Sequence, residues 1–254
     1  KGDYADEISR LNKLAQHYRQ ERLKKGSFDI ERIEVKFKID EKGTPLGVFF
    51  KENKESNQLI EEFMLLANRS VAELIGKNLL SGPARNTKKP KTFVYRIHDK
   101  PKQDKLENAS RIVARLGYRL NTEGRRAITN SLNRLLKDVQ GKPEQNLVET
   151  LALRAMAKAV YSTRNIGHYG LAFDFYTHFT SPIRRYPDMM VHRLLEAYLA
   201  GKESANEEQL ESDCIHASEM ERRAIDAERA SIKYKQVEFL ADKIGQVYCG
   251  IITG

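Results

Sequence analysis

The sequence predicts an α+β fold, and three observations predict it. Apolar residues recur at helical spacing through most of the chain. Residues 33–50 instead alternate apolar and charged side chains, as a hairpin with one wet face does. A short strand pattern, Thr92 to Ile97, stands between helical segments.

Ile8, Leu11, Leu14, Ala15 and Tyr18 place an amphipathic helix over residues 4–25, with Gly26 set to stop it. Ile33, Val35, Phe37 and Ile39 make the outgoing strand, Glu41-Lys42-Gly43-Thr44-Pro45 the turn, and Leu46 to Phe50 the return. Leu59, Ile60, Phe63, Met64, Ala67, Val71, Leu74 and Ile75 mark a second helix with Asn57 as its N-cap. A basic loop from Arg85 to Lys91 leads into the strand at 92–97. Residues 105–162 read as three helical segments, divided at Gly117, Gly124 and Gly141-Lys142-Pro143. The last, Asn146 to Tyr161, carries a stripe of Leu147, Leu151, Ala155 and Ala159. A helix over 187–200 follows, and then a long charged one from about Glu207 to Lys243. The narrow stripe of the long helix, Met220, Ala224, Ala227, Ser231 and Tyr234, suits close helix packing. Gly245 ends it, and Val247 to Ile252 reads as the first strand of another unit.

The 254 residues suffice for one large domain or two small ones. A net charge of +9, from 44 Lys+Arg against 35 Asp+Glu, favours an acidic partner such as nucleic acid or an anionic membrane surface. A merely soluble basic protein carries the same balance. Cys214 and Cys249 fit no metal or redox spacing and suit a reducing cytosol. No apolar run approaches the ~20 residues of a membrane span. The chain begins with Lys1 and ends on the apolar Ile251-Ile252-Thr253-Gly254, which reads as a piece cut from a longer polypeptide.

The densest chemistry lies at His178-Phe179-Thr180-Ser181-Pro182-Ile183-Arg184-Arg185-Tyr186-Pro187-Asp188. Hydroxyls, two prolines and two adjacent arginines meet where a helix begins. Helix starts present unpaired N–H groups, and arginine adds a planar fork shaped for phosphate. Were Ser181 the cap, Pro187 would fall inside the helix and remove a hydrogen bond. A short turn at 182–186, with the main helix starting at Pro187, avoids this. Thr180, Ser181, Arg184 and Arg185 can then converge on one anion. The competing reading makes Arg184 and Arg185 ordinary ion-pair partners of neighbours such as Asp188. His168, His178 and His192 match no zinc spacing, which favours packed or hydrogen-bonded histidines.

The run Gly167-His168-Tyr169-Gly170-Leu171-Ala172-Phe173-Asp174-Phe175-Tyr176-Thr177-His178, continuing through Asp188 to Leu195, resembles the signature of the ribonuclease II / ribonuclease R family, the RNB domain. Ile60 to Asn68 and Tyr95 to Pro101 resemble two further family segments, and Met220-Glu221-Arg222-Arg223-Ala224 fits the ribonuclease R branch. The resemblance implies helices packed around a mixed β-sheet. It places the C-terminal part of the catalytic domain at 1–244 and the opening strand of an RNA-binding OB-type barrel at 245–254.

The resemblance also implies a cytoplasmic, magnesium-dependent 3′→5′ exoribonuclease that takes single-stranded RNA and releases nucleoside 5′-monophosphates. No membrane is expected, and no obligate protein partner is inferred. Arg184 matches the catalytic arginine beside the scissile phosphate. Arg185 matches a basic position, for phosphate or structural contact, and Thr180, Ser181 and Tyr186 support the turn. Glu61 matches a glutamate that contacts the terminal ribose; an exposed helix carboxylate is the alternative. Phe28 matches an aromatic that stacks on bases; a core phenylalanine beneath the hairpin is the alternative. Glu228 matches a carboxylate near the active site of some members. The family's Asp-rich metal cluster has no counterpart here, and its order in the family puts the metal ligands upstream of residue 1. The chain alone is therefore expected to be inactive. A non-catalytic RNA-binding regulator of the same fold and a general basic scaffold are the rival readings.

Overall fold

The computed structural model describes residues 2–28, 34–51, 54–81 and 89–249, without the side chains of Glu34, Val35 and Phe50. Asp29, Ile33, most of the basic loop and residues 250–254 lie outside the described residues; of the strand expected at 247–252, Val247 to Cys249 are described and form no strand.

The first helix, α1 (Ala5–Lys24), carries Asp6 and Glu7 in its first turn and Arg22 and Lys24 in its last, charges that complement the helix dipole. Gly26 ends it at φ 95°, where a side chain would be strained. Its buried residues are Ala15, Arg19 and Arg22, while Ile8, Leu11 and Leu14 stay exposed. The helix thus packs on α2 (Glu55–Gly76) through a charged face. Strands β1 (Glu34–Ile39) and β2 (Pro45–Lys51) pair antiparallel, and the Asp40 carboxylate closes their turn by accepting from the Lys42 and Thr44 amides. Asn57 is not the N-cap of α2. Lys54 precedes the helix, and Asn57 reaches back from the third position to accept its amide hydrogen at 3.1 Å. The asparagine satisfies the free N–H from inside the first turn rather than from in front of it.

Two apolar cores organise the rest. One gathers Ala72 and Ile75 of α2, Phe93, Val94 and Tyr95, and Met190, Val191 and Tyr198 of α6 (Tyr186–Leu199). The other lies among α3 (Gln103–Arg115), α4 (Arg125–Asp138) and α5 (Gln145–Ala155), with Leu106, Val113, Leu132, Val139 and Val148 at its centre. The segment 146–161 is not one helix: α5 stops at Ala155, and Val160–Ser162 forms strand β4, antiparallel to β3 (Tyr95–Ile97). Pairing with β3 outweighs continued helix for the β-prone Val160-Tyr161. The buried stripe of α5 is Val148, Ala152 and Ala155, with Leu151 at its margin.

The α+β class holds, but the described strands form two antiparallel pairs rather than one mixed sheet. The outer edges of the β3–β4 pair are already occupied. The Arg96 amide donates to the Tyr176 carbonyl, and the Tyr161 amide to Ser218 Oγ of the long helix α7 (Glu207–Ala241). Helix α7 packs on β4 through Leu210, Cys214 and Ser218. Beyond Met220 its small-sided stripe is exposed, Tyr234 included. Arg96 of β3 pairs with Glu221 at 2.6 Å near the start of that half, and the hairpin meets its end, with Phe37 edge-on to Phe239 at 6.2 Å. Helical spacing marked a face there that no described element covers.

Candidate functional site

Residues 176–185 are irregular, so their backbone groups need partners from elsewhere. Buried side chains supply them. Thr177 Oγ1 donates to the Val94 carbonyl at 2.7 Å. Asn68 Oδ1, on the buried face of α2, accepts from the amides of Phe179 at 2.9 Å and Thr180 at 3.2 Å, while its Nδ2 donates to Tyr176 Oη at 3.1 Å. His192 of α6 stacks on Phe179 at 4.1 Å and hydrogen-bonds its carbonyl through Nε2 at 2.8 Å. Asp188, fully buried in the first turn of α6, accepts from the Ser181 amide at 2.8 Å.

Pro182, Ile183 and Arg184 form the turn itself, and α6 starts at Tyr186 with Pro187 in its first turn, as the prolines predict. The amides of Arg184 and Arg185 both bond the Ser181 carbonyl. From there the two arginines diverge. Arg185 Nε lies 2.9 Å from Asp188 Oδ2, and its Nη2 donates to Oδ1 at 2.9 Å. Arg184 is exposed beside the fully exposed Ile183, and its one side-chain bond is to Ser181 Oγ at 3.4 Å. Among the described residues it has no carboxylate partner. The ion-pair reading therefore fits Arg185 and not Arg184. Tyr186 is exposed, and the Thr180 hydroxyl is buried without a hydrogen-bond partner among the described residues.

A cleft of about 380 Å³ lies against the turn, lined by Glu61, Met64, Asn68, Tyr176 and Arg185 among others. It joins Glu61 and Arg185, which the sequence separates widely. Glu61 is 46% exposed at its side chain and 3.9 Å from Arg22 Nη2. Phe28 is not in this cleft. It packs on the α3–α5 core and on Tyr169, at 5.7 Å between ring centres. Glu228 is exposed on the outer half of α7.

Burial, reinforced by the charges of Arg185 and Arg96, pushes His178 down to about 2. Burial, with His98 and Arg96, pushes His168 down to about 3. Both imidazoles are neutral: His178 Nδ1 shares a 2.8 Å hydrogen bond with Tyr161 Oη, and His168 Nδ1 accepts the Leu171 amide. Burial raises the Cys214 thiol to about 12, which keeps it unreactive. The described residues contain no group of three or more His, Cys, Asp or Glu placed to hold a metal ion, and none of their helices is long and apolar enough to cross a membrane.

Sequence reasoning missed the supports: Asn68, Tyr176, Arg22 and Glu62. Their signal was a polar residue on a buried helical stripe. The buried residues of α2 are Glu62, Leu65, Asn68, Ala72 and Ile75, so two polar side chains share the core face.

The RNB domain family matches residues 1–201. A protein named Ribonuclease R from Aquifex aeolicus is 39% identical over 241 residues, which is 92% of this chain and 32% of that protein. Ribonuclease R of Escherichia coli is 32% identical over 263 residues, covering 98% of this chain and 30% of its own length. The chain thus spans about a third of the length of these curated relatives. The structure of Mycoplasma genitalium RNase R in complex with ribose methylated single-stranded RNA matches with a TM-score of 0.83 at 27% identity, over 97% of this chain and 38% of that one. Yeast Ssd1, described as a pseudonuclease, matches with a TM-score of 0.60 at 20% identity, over 85% of this chain and 26% of its own, a likeness of fold alone.

Proposed function

The chain belongs to the RNB domain family, and from that premise we propose that it is the arginine-bearing C-terminal part of the catalytic domain of a 3′→5′ exoribonuclease. The substrate is single-stranded RNA and the products are nucleoside 5′-monophosphates. Residues 245–254 open a following RNA-binding barrel, and the protein works in the cytoplasm, where a buried and an unpaired exposed cysteine remain reduced. The relatives that carry the name Ribonuclease R, and the RNA bound in one matching structure, support this reading.

One observation carries the mechanism. Two adjacent arginines share a braced turn, and Asp188 neutralises only one of them. Arg184 is left with its charge outward on a backbone fixed by Asn68, His192 and Asp188. A guanidinium carried on a fixed backbone stabilises charge growing on the phosphate oxygens in the transition state. Arg185 has the structural role, holding the turn to α6. Glu61, half exposed in the cleft, accepts a hydrogen bond from the terminal ribose 2′-hydroxyl and so prefers RNA to DNA. Phe28, which packs beside Tyr169, is assigned the base-stacking role.

The residues present do not fit the magnesium that the family implies. Asp188 is taken by Arg185 and Glu62 by Arg22, which leaves Glu61 as the cleft's one available carboxylate among the described residues. A single carboxylate does not build a two-metal centre. On this reading the metal ligands come from another part of the catalytic domain, and no step here is assigned to the metal.

Arg184→Ala in the full-length protein should lower kcat more than 100-fold, a loss of about 3 kcal/mol of transition-state stabilisation. Unchanged RNA turnover would favour the basic scaffold. The present chain alone, given magnesium and an oligoribonucleotide, should release no nucleoside monophosphate. The alternative is a non-catalytic RNA-binding regulator, for which the pseudonuclease of similar fold supplies the precedent. That reading predicts RNA binding without turnover in the full-length protein.

A further inference from the structure

Arg22 lies in the last turn of α1 with its side chain only 5% exposed. Its Nη2 donates to Glu62 Oε1 at 2.5 Å, and its Nε to Oε2 at 3.4 Å. Its Nη1 donates to Ser27 Oγ at 2.6 Å. Ser27 Oγ in turn donates to the Gly170 carbonyl at 3.1 Å, and the Phe28 amide donates to that same carbonyl at 2.9 Å. Gly170 is fixed from its other side, where its amide donates to His98 Nδ1 at 2.9 Å; a Cβ at residue 170 would come within 2.9 Å of that nitrogen. On the α2 side, Arg22 Nη2 stands 3.9 Å from Glu61 Oε1.

One guanidinium therefore stands between two residues assigned to the substrate. It meets Phe28 through the hydroxyl of Ser27, and Glu61 directly. We propose that Arg22 is a positioning residue for RNA selectivity, holding the Glu61 carboxylate toward the cleft and, through Ser27 and Gly170, fixing the backbone of Phe28. This rests on the exoribonuclease reading above.

The geometry separates this role from mere packing. A buried ion pair adds little stability over an apolar replacement, so stability alone is a weak reason for a buried arginine at this junction. Three of the N–H donors of Arg22 are engaged by Glu62 and Ser27. At 3.9 Å it acts on Glu61 by charge, outside ordinary hydrogen-bond distance. The Glu61 oxygens thus keep lone pairs for a hydroxyl donor while the carboxylate is restrained. Lysine cannot substitute, because a single ammonium lacks the fork that reaches Glu62 and Ser27 at fixed angles.

The test uses the full-length enzyme and two oligonucleotides, one all-ribose and one with a 2′-deoxy residue at the 3′ end. The readout is the ratio of their kcat/KM values. Arg22→Lys should lower the ribose-over-deoxyribose ratio about tenfold, toward that of Glu61→Ala, as expected for loss of one hydrogen bond to a charged group. A variant that only loosens the fold lowers both rates and leaves the ratio where it was, and that result overturns the proposal. Ser27→Ala keeps the Arg22–Glu62 pair and cuts the arm to Phe28. It should raise KM for both substrates with the ratio preserved, and an unmoved KM overturns that arm even where Arg22→Lys does not fold. A wild-type enzyme that degrades neither oligonucleotide sinks the exoribonuclease reading itself. One that degrades both, with an unmoved ratio in Arg22→Lys, sinks the role of Arg22 alone.

Discussion

At the 180–188 turn, Arg184 stands in solvent while Asp188 binds Arg185; at the α1–α2 junction, Arg22 is buried against Glu62 and Ser27. The same side chain gives opposite results because the number of acceptors differs. Arg184 finds one weak hydroxyl contact, so its charge remains available to a ligand. Arg22 finds a carboxylate and a hydroxyl, so its charge holds protein to protein. An arginine in a motif is therefore not a site until its acceptors are known. Along Arg184-Arg185 the boundary between ligand contact and structural support falls between neighbours.

Substitutions in the turn should separate these roles. The largest change comes from Asp188→Ala, which leaves the Arg185 guanidinium and the Ser181 amide without their shared acceptor. Removing one partner of a buried pair costs about 3–5 kcal/mol, and Arg185, 22% exposed at its side chain, can recruit some water. A loss of about 3 kcal/mol is expected in urea unfolding, with turnover falling as the turn shifts. Arg184→Ala should leave the unfolding free energy within about 0.5 kcal/mol while removing turnover. Equal destabilisation by the two would erase the distinction between them. Next in size is Asn68→Ala, which strips acceptors from two amides and the donor to Tyr176. It should cost about 2 kcal/mol, read in the same way.

The sequence carried the turn better than its supports. Two prolines and a helix start predicted where the chain bends and which residues share the bend, because proline geometry is local. Asn68 and Glu62 escaped because amphipathic reading assigns apolar residues to the core, and here two polar ones face it with partners distant in sequence. The division at Ala155 escaped for a related reason: β4 exists because β3 is there to pair with it. The outer half of α7 shows the converse. Its small-residue stripe is regular in sequence yet exposed, since periodicity marks a face and says nothing of what covers it.

The smallest expected effect tests the turn without touching an arginine. His178 shares a hydrogen bond with Tyr161, and burial, followed by the charges of Arg185 and Arg96, depresses it to about 2. In the unfolded chain it titrates near 6.5. Between these values the unfolded state binds a proton that the native state excludes, so stability rises with pH in that window. It is level above about 6.5 and falls on acidification, by about 1.4 kcal/mol per pH unit for each such histidine. His168, depressed to about 3, adds a second equal slope over most of the range. Urea unfolding at pH 7 and at pH 5 should show the combined loss. His178→Asn, which keeps an acceptor for the Tyr161 hydroxyl, should remove about 1.4 kcal/mol per unit from that slope. An unchanged slope would mean that His178 takes up its proton in the folded protein, which the positive field of Arg185 and Arg96 opposes. The acid response therefore reports the buried side of the turn, while turnover reports the exposed side.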